Sequence, residues 1–449
     1  MLWASRHLLA SSDAAAAWAF QEKLEQSQWL NAEQHRARQI GQLSALLRHA
    51  AAHVPAYADS FVRAANISAD TEVMWQSFPV LTRERLQANG EDFVATHIPP
   101  QHGKTSRTTT SGSTSRPVSV LHTDISAGWH RALTLRSQLW ALSRFDGKLA
   151  AIRRYVASRA DYPNGFEAPR WADASTLPME TGPVAGLSVA TPLHEQIIWL
   201  KRHKPDVLVT FPTNLDALCR HASVNKIAMP RLKAILTLGE AMPEGIHGVA
   251  RRVFGARVAD TYSAAEVGEI AIQCPQFQHY HVQSESVLVE ILDEAGQSCG
   301  PGETGRIVLT ALHNYATPLI RYEIGDLATV GRPCACGRGL PVIAKVLGRH
   351  RNMMVSPDGS WFWPSFGLKS YMAVAPVLQG QFIQHTPTCL EVALVTERPL
   401  KAVEEEAIRQ IIVARMPALH EIKFSYPGAL KRGASGKFEE FICKVDDTP

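Results

Sequence analysis

The sequence predicts an α/β protein: a large N-terminal domain of mostly parallel sheet with an antiparallel subdomain, then a small, mobile α+β domain. Three observations predict it. Residues 207 to 262 alternate short apolar runs with helical stretches, the pattern of strands buried on both faces of a parallel sheet. Residues 287 to 310 hold apolar runs broken by Asp293-Glu294-Ala295-Gly296 and Gly300-Pro301-Gly302, which reads as antiparallel strands joined by turns. Beyond Gly348-Arg349 the chain reads as a compact tail after a hinge. At 449 residues the chain exceeds what one core serves, so domains are expected at 1–348 and 349–449.

Composition narrows the function classes. A hydrophobic content of 45% with 20% charged residues is that of a soluble globular enzyme. The net charge of +4 is small and its cations are scattered, which argues against a nucleic-acid partner. No apolar run reaches the ~18 residues of a membrane span, and the start does not read as a signal peptide, so the cytoplasm is the default. Seven cysteines are odd in number and sparse, which favours reduced thiols or a metal site over a disulfide framework.

The elements follow in order. Ile40, Leu43, Leu46, Leu47 and Ala50 line one face of a helix over 34–53, stopped by Pro55. A polar helix is expected over 83–89 and another over 125–142. Residues 158 to 186 are rich in Pro, Gly and Asp and read as a long surface loop. Val207-Leu208-Val209-Thr210, Ala234-Ile235-Leu236-Thr237-Leu238 and Val258-Ala259-Asp260-Thr261-Tyr262 read as parallel strands, with helices over 213–224 and 243–253 between them. In such sheets ligands sit beyond the carboxyl ends of the strands. Gly239-Glu240 and Tyr262-Ser263-Ala264-Ala265-Glu266 lie there. The tail is expected to contain strands near 380–396, a helix over 399–415 and a strand near 421–426.

Five groups of residues carry chemistry. Thr108-Thr109-Thr110-Ser111-Gly112-Ser113-Thr114-Ser115-Arg116-Pro117 packs hydroxyls, a glycine and a cation into a segment with no apolar face. Its glycine and donors suit a phosphate chain, although a Ser/Thr-rich linker has the same composition. Pro318-Leu319-Ile320-Arg321-Tyr322-Glu323-Ile324-Gly325-Asp326 sets an aspartate behind a glycine, fit for ribose hydroxyls or for an ordinary turn. Glu266 could hold Mg²⁺ against phosphate oxygens, or simply favour a helix N-terminus. Lys437, in the glycine-bracketed loop Lys431-Arg432-Gly433-Ala434-Ser435-Gly436-Lys437, could reach a developing negative charge between domains, or belong to a solvated basic tail. Cys274, His281, Cys334 and Cys336 suit a tetrahedral structural Zn²⁺ site, with His279 competing for the place of His281.

In this order, Thr110 to Thr114 with Pro117, Gly239-Glu240, Tyr262 to Glu266, Arg321 to Asp326, Gly348-Arg349 and Ser435-Gly436-Lys437 resemble the adenylate-forming ligase superfamily. Pro318 to Tyr322 and Cys334-Ala335-Cys336-Gly337-Arg338 resemble more closely the phenylacetate–CoA ligases and their capsule-biosynthesis relatives, some of which carry a zinc site like this Cys/His set. The resemblance covers roughly residues 75 to 440. It implies a two-step reaction: a small-molecule carboxylic acid attacks Mg·ATP to give an acyl-adenylate and pyrophosphate, and a thiol, usually of coenzyme A, then displaces AMP.

The resemblance also implies roles. Thr110, Ser111, Gly112, Ser113 and Thr114 would hold the β- and γ-phosphates, and Gly239 and Glu240 would line the adenine pocket. Tyr262, beside Ser263, would stack on the base; Glu266 would bind magnesium; Asp326 would take the ribose hydroxyls. Arg321 would sit near the phosphate and ribose, Ser263 and Arg349 would be among the cofactor-binding residues, and Lys437 would meet the α-phosphate and carboxylate oxygens. Three positions depart from the family: Ser115-Arg116 stands where Gly-Lys is usual, Ser263 replaces a glycine, and His350-Arg351-Asn352 lacks the hinge aspartate. Phe211, Trp171 and Tyr155 point to an apolar or aromatic acid. An amine or a carrier-protein thiol is the alternative acceptor, and a catalytically weak zinc-stabilised nucleotide-binding protein the alternative class. A monomer or homodimer is expected.

Overall fold

The computed structural model describes residues 12–65, 70–110, 118–155, 158–171, 179–349, 354–358, 361–362, 370–371, 373–416, 419–430, 438 and 440–445. The chain opens with helices α1 (Ser12–Ser27), α2 (Ala32–His53), α3 (Ala58–Ala65), α4 (Thr71–Gln76) and α5 (Arg83–Ala88). In α2 the expected apolar face is buried, and Asn31 and Gln34 close its start with reciprocal hydrogen bonds, a capping box. Thr82 caps α5 by accepting from the Arg85 N–H.

A ribbon of β1 (Thr105–Thr109) and β2 (Ser119–Thr123) flanks the hydroxyl-rich segment, and α6 (Asp124–Ala141) follows it. The main sheet then begins with β3 (Leu149–Arg153), β4 (Phe166–Ala168) and β5 (Val184–Ser188). Helix α7 (Leu193–His203), β6 (Val207–Thr210), α8 (Pro212–Val224), β7 (Ala234–Leu238), α9 (Ile246–Phe254) and β8 (Arg257–Ala264) follow. The antiparallel part comprises β9 (Gly268–Gln273), β10 (Tyr280–Val282), β11 (Val287–Leu292), β12 (Thr304–Ala311), β13 (Tyr322–Val330) and β14 (Val342–Arg349). Among the described residues these strands form one sheet in the order β11-β12-β13-β14-β10-β9-β8-β7-β6-β3-β5-β4. Strands β5, β3, β6, β7 and β8 run parallel, whereas β9 to β14 pair antiparallel. The expected α/β class holds.

The C-terminal unit has its own core. Strands β15 (Met354–Val355) and β16 (Trp361–Phe362) pair with each other. Strands β17 (Val377–Thr386), β18 (Cys389–Thr396), β19 (Glu421–Ser425) and β20 (Phe441–Cys443) form a second sheet in the order β19-β18-β17-β20. Helix α10 (Ala402–Arg415) lies within this unit. Its Ile408 and Ile412 join Phe382, Leu390 and Val392 in a core separate from those of the large sheet. The hinge residues His350, Arg351 and Asn352 lie outside the described residues.

The segment 158–186 differs from expectation. It contains β4 and the start of β5, a strand inside the sheet. Gly186, which reads as a loop residue, is there because a Cβ would come within 2.0 Å of the Phe166 ring of β4. Neither β3 nor α7 was legible, since the apolar run of β3 is too short to separate from a helix segment. A buried polar cluster ties the N-terminal helices to the sheet. Fully buried Arg136 of α6 pairs with Glu285 at 3.0 Å and donates to Gln283 at 2.8 Å, and Ser27 of α1 donates to Glu285 at 2.7 Å.

Candidate active site

The parallel strands β3, β6, β7 and β8 end on one side, and the chemistry-bearing residues collect there. Thr110 closes the base of the hydroxyl-rich loop. Its N–H donates to the Val118 carbonyl at 2.8 Å, and its Oγ1 accepts from the Val118 N–H at 2.9 Å. Ser111, Gly112, Ser113 and Thr114 lie outside the described residues, between these two anchors.

A residue the sequence reading missed joins this loop to Glu266. Arg83, at the first position of α5, donates from Nη2 to Thr110 Oγ1 at 3.0 Å and from Nη1 to Glu266 Oε1 at 2.9 Å. Tyr322 stands beside the pair, its hydroxyl 3.4 Å from both Arg83 Nη1 and Glu266 Oε1. Glu266 is buried, so its charge needs this cation or another. The neighbouring histidines do not supply one: burial lowers His122 and holds His130 at about 4, leaving both neutral at pH 7. The His130 ring packs under the turn that carries Glu266. A Cβ on Gly268, whose φ is +82°, would meet that ring at 2.5 Å. A single arginine thus spans the loop base and the carboxylate.

Across the site, the Tyr262 hydroxyl donates to Asp326 Oδ2 at 2.6 Å. Tyr262 and Ser263 lie within β8 rather than after it, as β8 continues into a hairpin with β9. Asp326 pairs in register with Arg349 of β14, which brings the two predicted positions together. Gly325, just before Asp326, has φ +84°, a conformation that turns the strand at little cost only for glycine. Gly239 likewise has φ +84° at the end of β7. Glu240 then accepts from the Thr213 N–H at 3.1 Å and Thr213 Oγ1 at 2.5 Å with one oxygen, and from the Phe438 N–H at 2.5 Å with the other. Lys437 itself lies outside the described residues, but its neighbour is held at the end of β7.

Arg321 is a correction. Its guanidinium is not placed at Asp326 but grips Glu290 at 3.1 and 3.0 Å and the carbonyls of Gln76 and Phe78 at 2.6 and 2.7 Å. Four of its five donors are used on structural partners. Trp171 is a second correction. Its Nε1 donates to the Gly147 carbonyl at 2.9 Å, ahead of β3, so it sits at the end of the sheet away from the site. Phe211 is buried in the core between β6 and α8. Tyr155 packs edge-on to Phe166, with centroids 5.2 Å apart.

Deeper in the sheet, buried Asp260 of β8 accepts from Thr237 Oγ1 at 2.5 Å and the Tyr280 hydroxyl at 2.8 Å. Burial lifts its carboxyl from the ordinary 3.8 to about 6, more than the two hydroxyls pull it back. The folded state therefore holds this proton more tightly than the unfolded chain, and its stabilisation fades as pH rises through about 6. Against wild type, Asp260→Asn should gain roughly 2 kcal/mol between pH 4 and pH 7, read from urea unfolding at both values. A difference that does not change with pH would contradict this.

The Cys/His residues lie close together, in a set that differs from the expected one. Cys274 follows β9, His281 lies in β10, and Cys334 and Cys336 sit in the β13–β14 loop. Cys274 Sγ is 3.8 Å from Cys334 Sγ, and Cys336 Sγ is 3.4 Å from His281 Nε2. A tetrahedron with ordinary zinc bonds has S–S and S–N edges of about 3.8 and 3.5 Å. His279 also stands in the group: one donor atom each from Cys274, His279, His281 and Cys334 lies within 4.8 Å of the others. Cys336, expected in the set, falls outside that group of four, and its Sγ instead lies beside His281 Nε2.

Comparison with known proteins agrees with this geometry. Residues 107–314 match the family model described as AMP-binding enzyme. The chain is 25% identical to a phenylacetate-coenzyme A ligase of Thermus thermophilus over 189 residues, 40% of this chain and 42% of that protein. It is 22% identical to a phenylacetate-coenzyme A ligase of Pseudomonas putida over 328 residues, 71% of this chain and 72% of that protein. Among solved structures, a 2-hydroxyisobutyryl-CoA ligase in its postadenylation state matches with a TM-score of 0.69 at 18% identity, covering 94% of this chain and 92% of that one. The same ligase in its thioesterification state gives 0.56.

Proposed function

We propose that the chain is an adenylate-forming ligase, which activates a carboxylic acid as its acyl-adenylate and passes the acyl group to coenzyme A. The observation that carries this reading is the convergence of Thr110 and Glu266 on the guanidinium of Arg83. It sets Thr110, the last described residue before the hydroxyl-rich loop, and the buried Glu266 on one guanidinium beyond the strand ends, which supports a phosphate loop beside a metal-binding carboxylate.

The substrate carboxylate and ATP are both anions and repel each other. The chain answers with cations and donors. The loop 110–114 receives the β- and γ-phosphates, and Arg83 at its base adds a fixed positive charge. Tyr262 stacks on adenine while its hydroxyl orients Asp326 toward the ribose, with Gly239, Glu240, Ser263 and Arg349 around the nucleoside. Lys437, carried by a C-terminal lid starting near residue 349, meets the α-phosphate as the acid oxygen attacks. A buried carboxylate beside phosphates fits Mg²⁺, and Glu266 would hold it with the oxygen that Arg83 does not engage; the ion would neutralise the phosphates. Coenzyme A enters after the lid turns. The higher similarity to the postadenylation structure supports a lid turned toward the first step. Phenylacetate and 2-hydroxyisobutyrate, named for the relatives, are the first acids to test. Trp171 no longer argues for an aromatic acid.

The distances in the Cys/His set support a structural Zn²⁺ held by Cys274, Cys334, Cys336 and His281 or His279. Purified protein should carry about one zinc per chain, and Cys334→Ser should lose it. Elemental analysis finding under about a tenth of an equivalent would remove the metal from the account.

Among the described residues no helix is long and apolar enough to cross a membrane, which is consistent with a cytoplasmic enzyme using ATP and coenzyme A. Carboxylate-dependent ATP–pyrophosphate exchange over aromatic and aliphatic acids, with and without coenzyme A, tests the proposal. Exchange with coenzyme A consumed is expected. Exchange with coenzyme A untouched transfers the acceptor to an amine or carrier-protein thiol, and no exchange with any acid defeats the reading.

A further inference from the structure

We infer that Glu240 is the docking post for the C-terminal lid, a positioning residue that sets Lys437 through the backbone of Phe438. The inference rests on the adenylation reading above and gives Glu240 a duty beyond lining the adenine pocket. One oxygen of Glu240 accepts the N–H and Oγ1 of Thr213 in the first turn of α8. A carboxylate there meets otherwise orphaned N–H groups and the positive end of the helix, which fixes its orientation. The other oxygen accepts the Phe438 N–H, one residue past the lysine. A charged acceptor makes this a strong hydrogen bond, and its donor is main chain, so it positions residue 437 whatever its side chain does.

The contact does not stand alone. Helix α8 packs against β17 of the lid. Further along α8, Asp216 and Arg220, an i,i+4 ion pair, interact with the charge of Glu440, which follows Phe438 by two residues. His221 interacts with the charge of Glu397 at the end of β18. These contacts run along α8, with Phe438 at the helix N-terminus where Glu240 sits. A rotation of the lid for the second step would break the Phe438–Glu240 bond, because that bond joins the two units directly.

A double-mutant cycle reads this out. Phe438→Pro removes the N–H and leaves Lys437 in place; Glu240→Ala removes the acceptor. Each should slow pyrophosphate exchange by about tenfold or more, the loss of one charge-assisted hydrogen bond. Together they should slow it no further than the worse of the two, because both delete the same bond. Each should also raise the ratio of thioester formation from supplied acyl-adenylate to exchange. Glu240→Gln, whose amide oxygen still accepts, should recover part of the rate and serves if the alanine variant does not fold. Losses that multiply, or a proline variant that exchanges like wild type, overturn the inference. Wild-type protein that exchanges with no acid defeats the enzyme reading instead, so the two failures are distinct.

Discussion

Lys437→Ala should slow carboxylate-dependent pyrophosphate exchange by about 10²–10³-fold, ~3–4 kcal/mol, the usual cost of one group that stabilises developing charge in the transition state. Bringing a carboxylate oxygen onto the α-phosphorus concentrates negative charge between two anions, and in the proposed reaction the lysine is the cation that would receive it. The next residue, Phe438, donates its N–H to Glu240 at the end of β7. Thioester formation from a supplied acyl-adenylate should suffer less, because the lid has turned before the thiol attacks. A variant exchanging as fast as wild type would take Lys437 out of the mechanism.

Arg321→Ala should act on folding rather than chemistry, costing ~3–5 kcal/mol of stability by stranding Glu290. Both side chains of the pair are about nine-tenths buried, with 11% and 10% exposed. Burial pushes Glu290 up by more than the guanidinium pulls it down, so the carboxylate is poorly placed to stand alone. The arginine also satisfies the carbonyls of Gln76 and Phe78, tying α4 and the chain after it to the sheet. Its backbone holds φ at +49°, an unfavourable angle for a branched-free but bulky residue, and is pinned there from several sides. Its carbonyl accepts from Leu81 N–H at 2.9 Å and its own N–H donates to Thr310 Oγ1 at 3.0 Å. Urea unfolding of the variant checks the prediction. Wild-type stability with lost exchange would return Arg321 to the phosphates.

The reasons some of the site was legible are physical. Tyr262, Asp326, Glu266 and three of the four expected Cys/His residues stood out as candidates because such chemistry needs particular side chains beside glycines or turns, and those leave a local mark. Arg83 left none: one arginine in a polar helix looks like any solvated cation, and only the tertiary fold brings it to Glu266. Arg321 took its expected role from the family resemblance, and nothing local in the sequence shows that its guanidinium is spent on Glu290 and on the carbonyls of Gln76 and Phe78. In the fold, β5 was hidden by Gly186, whose reason is the Phe166 ring packed upon it.

The central claim is that the acid attacks the α-phosphorus of ATP. It is tested most directly with a carboxylic acid labelled with oxygen-18 in both carboxyl oxygens, using any acid that supports exchange. Attack at the α-phosphorus leaves one labelled oxygen in the AMP released when the thioester forms, and mass spectrometry of the nucleotide should find it there. Label recovered in inorganic phosphate, with ADP as the nucleotide product, would mean an acyl phosphate and would contradict the account.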